Sequence, residues 1–219
     1  MTEEKPEIRS NLDCWKAMQE AEYFEKHPCY PGVSEFGGEG EVAMIQNFHP
    51  LDHDTQLVVI GCGYGRETLK IASLVGRVYG IDVSKTILDK AVSFLHERGV
   101  RNFVPVLAEE YKTMIPYSID VVFSIVVMQH LTRDLVLDYF CNLSERLSAS
   151  GTFVIQFLEH LDEYGQQDAE LRVYEPSVTW SVPQLVQLSR AASLSLVEVR
   201  SSLATPSALW HWACFRKAT

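Results

Sequence analysis

The feature that most constrains this chain is a four-residue apolar run, Leu57-Val58-Val59-Ile60, that ends directly in Gly61-Cys62-Gly63-Tyr64-Gly65. A short apolar run bounded by glycine reads as a buried strand. The glycines let the backbone turn sharply and approach a ligand with no Cβ in the way. A helical pattern follows at once, over residues 66–74. Strand, glycine turn and helix together open a parallel α/β sheet, whose ligand crevice lies at the carboxyl ends of the strands. Asp82 then closes a second apolar run, residues 78–81, roughly twenty residues on, where a carboxylate accepts bonds from both hydroxyls of a ribose.

The rest of the chain continues the alternation. Ser84 is placed to cap a helix over residues 85–98, which carries Ile87, Leu88, Ala91, Phe94 and Leu95 at helical spacing. Residues 103–107, 121–127 and 153–157 are further buried-strand candidates, with a helix over 134–147 before the last. Ser181-Val182-Pro183-Gln184 reads as a capping box for a helix running to Ala192, and residues 197–200 and 210–215 as two closing strands. This order predicts one α/β domain, a mainly parallel sheet with helices on both faces.

Two segments stand apart, and they set the expected organisation: a cap over residues 1–53, and a ligand-binding domain over 54–219 with a polar insertion at 158–179. In the cap, Ser10-Asn11-Leu12-Asp13 resembles a capping box with Asp in place of Glu, so a helix is expected after it until His27-Pro28. Trp15, Met18 and Phe24 share one face of that helix, which either docks it on the core or makes it a lid over a ligand. Gly37-Gly38-Glu39-Gly40 reads as a loop or hinge.

Charge narrows the partners. The 219 residues carry 29 acidic and 19 basic side chains, a net charge of −10, with no cluster of Lys and Arg. That balance disfavours nucleic acid, whose binding needs such a cluster. The longest apolar run, within residues 121–128, is far too short for a membrane span, and the charged N-terminus lacks the apolar stretch of a secretory signal. The five cysteines, Cys14, Cys29, Cys62, Cys141 and Cys214, are scattered and form no C-x-x-C pair. They read as reduced thiols of a cytoplasmic protein, neither a disulfide framework nor a zinc site. His49 and His53 lie four apart, but Pro50 opposes a helix between them, so no metal site is expected.

The glycine pattern by itself suits two cofactor classes. A dinucleotide fold wants a third glycine where Arg66 stands, which weakens a nicotinamide oxidoreductase reading. The order Gly61-Cys62-Gly63-Tyr64-Gly65 instead resembles the first motif of class I methyltransferases, and Tyr79-Gly80-Ile81-Asp82-Val83-Ser84 is similar to their second. Residues 107–110, 119–131 and 147–155 resemble the adenine contact, the fourth strand with its loop, and the passage into the fifth strand. The likeness spans roughly residues 35–217 and implies a Rossmann-like seven-stranded sheet with its last strand antiparallel. It also implies S-adenosyl-L-methionine as cofactor, with Gly61, Cys62, Gly63, Tyr64 and Gly65 around it, Asp82 on the ribose and Val83 on the adenine. Ala108 and Glu109 would then lie at the adenine edge, and Val126 beside the cofactor after strand four. Val59 departs from the family, which commonly has an acidic residue there, as do Leu107 and Ala108 where an Asp is often found.

Methyl transfer from a sulfonium is an in-line displacement that needs alignment first, and a base where the acceptor carries a proton. His130, after strand four, is the candidate base or else a structural histidine; Gln129 is placed to orient the acceptor. Glu159, His160 and Asp162 open the polar insertion and either touch substrate or face solvent. Strand four lacks the following Asn-Pro-Pro-Tyr or Asp-Pro-Pro-Tyr of enzymes that methylate exocyclic base amines. The expected function is therefore methylation of an oxygen or nitrogen of a small molecule, the alternative being a catalytically silent binding module that serves a partner protein.

Overall fold

In β1 (Gln56–Ile60) the four residues after Gln56 are all buried, because this strand lies inside a sheet that is covered on both faces. The computed structural model describes residues 6–20, 39–161 and 178–218. Within it β1 joins β2 (Arg77–Asp82), β3 (Phe103–Leu107), β4 (Ile119–Ser124), β5 (Leu147–His160), β6 (Leu194–Thr205) and β7 (Ala208–Lys217). The order is β3-β2-β1-β4-β5-β7-β6, with β1 to β5 parallel and β7 antiparallel to both its neighbours. This is the Rossmann-like seven-stranded sheet with a reversed last strand that the motif resemblance implies.

The helices are α1 (Pro6–Glu20), α2 (Glu39–Phe48), α3 (Arg66–Ile71), α4 (Lys85–Glu97), α5 (Tyr111–Met114), α6 (Arg133–Arg146) and α7 (Val182–Ala191). Alternate residues of β1 feed two cores, as the pleat requires. Leu57 and Val59 join Ile45 and Phe48 of α2, Ile71 of α3 and Phe123 of β4. Val58 and Ile60 join the larger core under α6 and α7, where the Phe140 ring lies 4.8 Å from Phe153 and edge-on to Phe215 at 5.1 Å. Helix α4 forms where its apolar spacing places it: Ser84 accepts from the Ile87 amide, and Ile87, Leu88, Ala91, Phe94 and Leu95 are its buried face. Gln184 likewise reaches back to the Ser181 amide at 2.7 Å, closing the capping box that starts α7.

Several boundaries differ from the sequence expectation, each for a local reason. The run 121–127 is not one strand: β4 ends at Ser124, whose hydroxyl donates to the Ile60 carbonyl, and Val126 turns the chain with φ 57°. Helix α3 stops at Ile71 instead of Leu74. Helix α6 starts one residue early because Thr132 caps it, accepting from the Leu135 amide. Helix α1 is already formed at Pro6, so Ser10 lies inside it and Ser10–Asp13 is no cap; proline is tolerated in a first turn. Glu39 and Gly40 open α2 instead of forming a hinge, because Ile45 and Phe48 anchor that helix on the core. The closing strands run well beyond 197–200 and 210–215, since β6 is an exposed edge strand whose pattern is not apolar. Residues 158–160 of the polar insertion belong to β5, and 178–180 return beside it, with the Trp180 amide donating to the Leu158 carbonyl at 2.8 Å. Phe24, His27, Pro28, Cys29, Gly37, Gly38 and Asp162 lie outside the described residues. No described helix is long and apolar enough to cross a membrane.

Gly80 shows how tightly β2 is packed. A Cβ there would lie 2.4 Å from the Phe103 ring and 2.8 Å from the Cys62 sulfur. Gly80→Ala is therefore expected to destabilise the fold by about 1–3 kcal/mol, the cost of overpacking. Urea unfolding should show this as a lower midpoint with an unchanged slope.

Candidate functional site

Strands β1 and β4 are neighbours, and the chain leaves them toward opposite faces: from β1 to α3, and from β4 to α6. The sheet therefore opens a crevice above their carboxyl ends. The glycine turn sits at that edge. Gly61, Gly63 and Gly65 have φ of 70°, 50° and 83°, a left-handed sequence that side chains resist. The Gly61 and Cys62 amides both donate to the Ile81 carbonyl, at 2.8 and 3.0 Å, which ties the turn to β2. A Cβ at Gly61 would come within 2.3 Å of a Val127 methyl, so the loop after β4 rests directly on the turn. Cys62 points its side chain into the core, and burial pushes its thiol well above the ordinary range. Its backbone alone is thus left for the crevice. Tyr64 leans toward α4, where the Lys90 ammonium donates to its hydroxyl at 3.4 Å and stands 5.6 Å from its ring.

Asp82 ends β2 and is 5% exposed. One carboxylate oxygen accepts from the Gly63 amide at 3.0 Å and the other from the Ser84 amide at 3.2 Å. Burial pushes its pKa above the ordinary carboxylate value, while bonds from Ser84, Gly63, the Gln19 side chain and Val83 pull it back. The Asp82 carbonyl accepts from the Ala108 amide at 2.9 Å, bringing the end of β3 alongside. Val83 and Ala108 are half-buried at this rim, and Glu109 is exposed. Val59, at the position where the family commonly has an acid, belongs instead to the core with Ile71 and Phe123.

After β4 the Val126 amide donates to the Gln156 side chain at 3.2 Å, and Met128–His130 forms a single 3-10 turn. The Gln129 side chain is buried, with its nitrogen 3.3 Å from His130 Nε2. When His130 carries its proton on Nδ1, that amide donates to Nε2. The His130 carbonyl accepts two side-chain bonds from α1, Asn11 Nδ2 at 2.9 Å and Trp15 Nε1 at 3.1 Å. The Trp15 and His130 rings lie 4.5 Å apart.

The buried face of α1 is thus Asn11, Trp15 and Gln19, spaced four apart, and it reaches His130 and Asp82. Sequence reasoning singled out Trp15, but it missed Asn11 and Gln19 because polar residues do not register as an apolar stripe. The four-residue spacing either side of a tryptophan was the available signal. Other candidates fall elsewhere. His49 lies at the opposite edge of the sheet, 3.4 Å from the Thr152 hydroxyl, and burial lowers its pKa. Glu159 is held by His211 at 2.7 Å, which in turn meets the Ser201 hydroxyl at 2.7 Å. No cluster of three or more His, Cys, Asp or Glu suited to a metal occurs among the described residues.

Comparison with known proteins agrees with this geometry. Residues 58–155, which hold β1 to the middle of β5, match the family model described as a methyltransferase domain. A geranyl diphosphate C-methyltransferase from Streptomyces coelicolor A3(2) superposes with a TM-score of 0.67 at 14% identity, over 82% of this chain and 80% of that one. DhpI, solved with SAH, gives 0.64 at 18% identity over 96% and 97% of the two chains. The [4+2]-cyclase SpnF gives 0.68 at 13% identity over 82% and 80%. At such identities these likenesses show the fold, and a cyclase among them shows that the fold alone names no reaction. No curated protein sequence matches.

The buried Asp82 carboxylate has a measurable consequence. Its folded-state pKa is raised, so as pH climbs the unfolded chain ionises first and stability from this group is lost. Asp82→Asn does not titrate. The melting temperature of the variant, relative to the parent without ligand, should therefore rise as pH climbs above about 4, the ordinary carboxylate value. A difference that is flat or falls with pH contradicts the assignment.

Proposed function

We propose that this chain, whose residues 58–155 match a methyltransferase domain, is a class I S-adenosylmethionine-dependent methyltransferase that methylates an oxygen or nitrogen of a small molecule. The observation that carries the reading is the buried Asp82 carboxylate bonded to the Gly63 amide, at the point where β1 and β4 part. S-adenosylmethionine fits these residues. The left-handed glycines keep Cβ atoms out of its path, and Asp82 is placed for the ribose hydroxyls. Val83 and Ala108 offer apolar flanks for adenine, Glu109 its polar edge, and Val126 lines the far side. The backbone of Gly61, Cys62, Gly63 and Gly65 fits the amino-acid end, with Tyr64 at the outer rim.

When bound, the cofactor supplies an electrophilic methyl group on a sulfonium. The chain supplies position, a dry site and a base. Trp15, whose ring lies 4.5 Å from that of His130, is the residue suited to shield that end of the crevice from water. Gln129 turns the acceptor, and the His130 imidazole takes its proton as the new bond forms. A small-molecule acceptor is supported by the likeness to a geranyl diphosphate C-methyltransferase, and by the acidic chain, which disfavours nucleic acid. Cys14, Cys62, Cys141 and Cys214 are free thiols, which supports a cytoplasmic setting.

Two measurements test the reading. Asp82→Ala should weaken S-adenosylmethionine binding by about 1.5–3 kcal/mol in calorimetry, the range for a lost bond to a charged group. With an acceptor identified by S-adenosylhomocysteine release from a panel, His130→Ala should lower kcat roughly 10²–10⁴-fold and leave cofactor affinity nearly unchanged. A His130→Ala enzyme that keeps most of its kcat at saturating acceptor would remove the base from the mechanism, though alignment alone would still support transfer.

A further inference from the structure

The cap helix carries two carboxamides whose orientation is set by what they donate to. Asn11 Nδ2 donates to the His130 carbonyl, and the Gln19 side chain bonds the Asp82 carboxylate, which can only accept, so the Gln19 nitrogen is the atom facing it. In both residues the amide oxygen is therefore the free end. Both oxygens are buried and have no hydrogen-bond partner among the described residues, in residues 9% and 6% exposed. Buried acceptors are almost always satisfied, and an exception calls for a missing donor. Asn11 and Gln19 are eight residues apart on one face of α1, about 12 Å at 1.5 Å per residue. The helix thus bridges the His130 end of the crevice and the Asp82 end.

We propose that Gln19 is a ribose-binding residue: its side-chain oxygen accepts one hydroxyl of the cofactor ribose while Asp82 accepts the other. The inference rests on the cofactor reading above and adds to it a cofactor site divided between the sheet and the cap. A ribose diol brings two donors to Asp82, whose oxygens already serve the Gly63 and Ser84 amides. The neighbouring Gln19 oxygen is an acceptor without a donor among the described residues. Filling it joins cap docking to cofactor binding, because each then stabilises the other.

The test uses the full chain and S-adenosylhomocysteine, with its 2′-deoxy and 3′-deoxy analogues, in calorimetry. Gln19→Met keeps the length of the side chain and removes the acceptor. It should bind S-adenosylhomocysteine about tenfold more weakly than the parent, the scale of one hydrogen bond. It should also cease to discriminate against one of the two deoxy analogues, which the parent binds about tenfold less well. In the parent protein, S-adenosylhomocysteine should slow amide exchange in residues 11–20, a measurement that needs no variant. Unchanged affinity in Gln19→Met overturns the proposal, as does tighter binding, which would make Gln19 a competitor of the ribose. Full discrimination against both deoxy analogues in the variant, or unaltered exchange in α1, overturns it too. Absence of S-adenosylhomocysteine binding by the parent would instead remove the cofactor reading on which it rests.

Discussion

Asp82 accepts from the Gly63 amide on one oxygen and the Ser84 amide on the other, and much of the site depends on that pair of bonds. The first holds the glycine turn against β2, in a left-handed path that no ordinary side chain favours. The second fixes the start of α4, whose Ser84 cap and buried face then pack the helix beside the turn. A Cβ at Gly65 would meet Leu95 of that helix at 3.0 Å, so turn and helix are fitted to each other. One carboxylate thereby joins the two connections that follow β1 and β2.

Such a carboxylate is costly for the fold. Burial opposes its charge, and amide bonds offset only part of that penalty. The side-chain oxygens of Asn11, Gln19 and Gln129, without hydrogen-bond partners among the described residues, lie near it or near His130 and add to the local cost. The positive φ of Val126 is a further local cost where the chain leaves β4. Unfavourable terms of this kind are what a preorganised binding site carries.

Helix α1 is where reading the sequence gave way to geometry. Trp15 is visible as an apolar residue on a helix, but whether it docks on the core or covers a ligand cannot be told from spacing. Its indole nitrogen bonds the carbonyl of His130, 115 positions away, a contact that no local pattern announces. Asn11 and Gln19 carry the same lesson, since polar residues on the buried face of a helix look like solvent-facing residues until a partner is seen. Conversely, Cys62 stands in the middle of the recognisable motif yet turns its sulfur into the core. The motif marks where the backbone goes, and it leaves the side-chain direction to the packing of Gly80 and Phe103 around that sulfur.

What the sequence alone determined is everything governed by local periodicity and turn chemistry. The strand–glycine–helix opening, the caps at Ser84 and Ser181 and the buried face of α4 are all local, because a helix face repeats and a glycine turn occupies only a few residues. The position of Asp82 at a strand end belongs with them. Only the tertiary structure decided the end of β4 at Ser124, since that depends on a hydroxyl reaching the carbonyl of Ile60 across 64 positions. It also decided the lengths of β6 and β7, the place of Val59 in a core, and the meeting of α1 with both Asp82 and His130. Those outcomes rest on contacts between residues far apart in the chain, which no local pattern records.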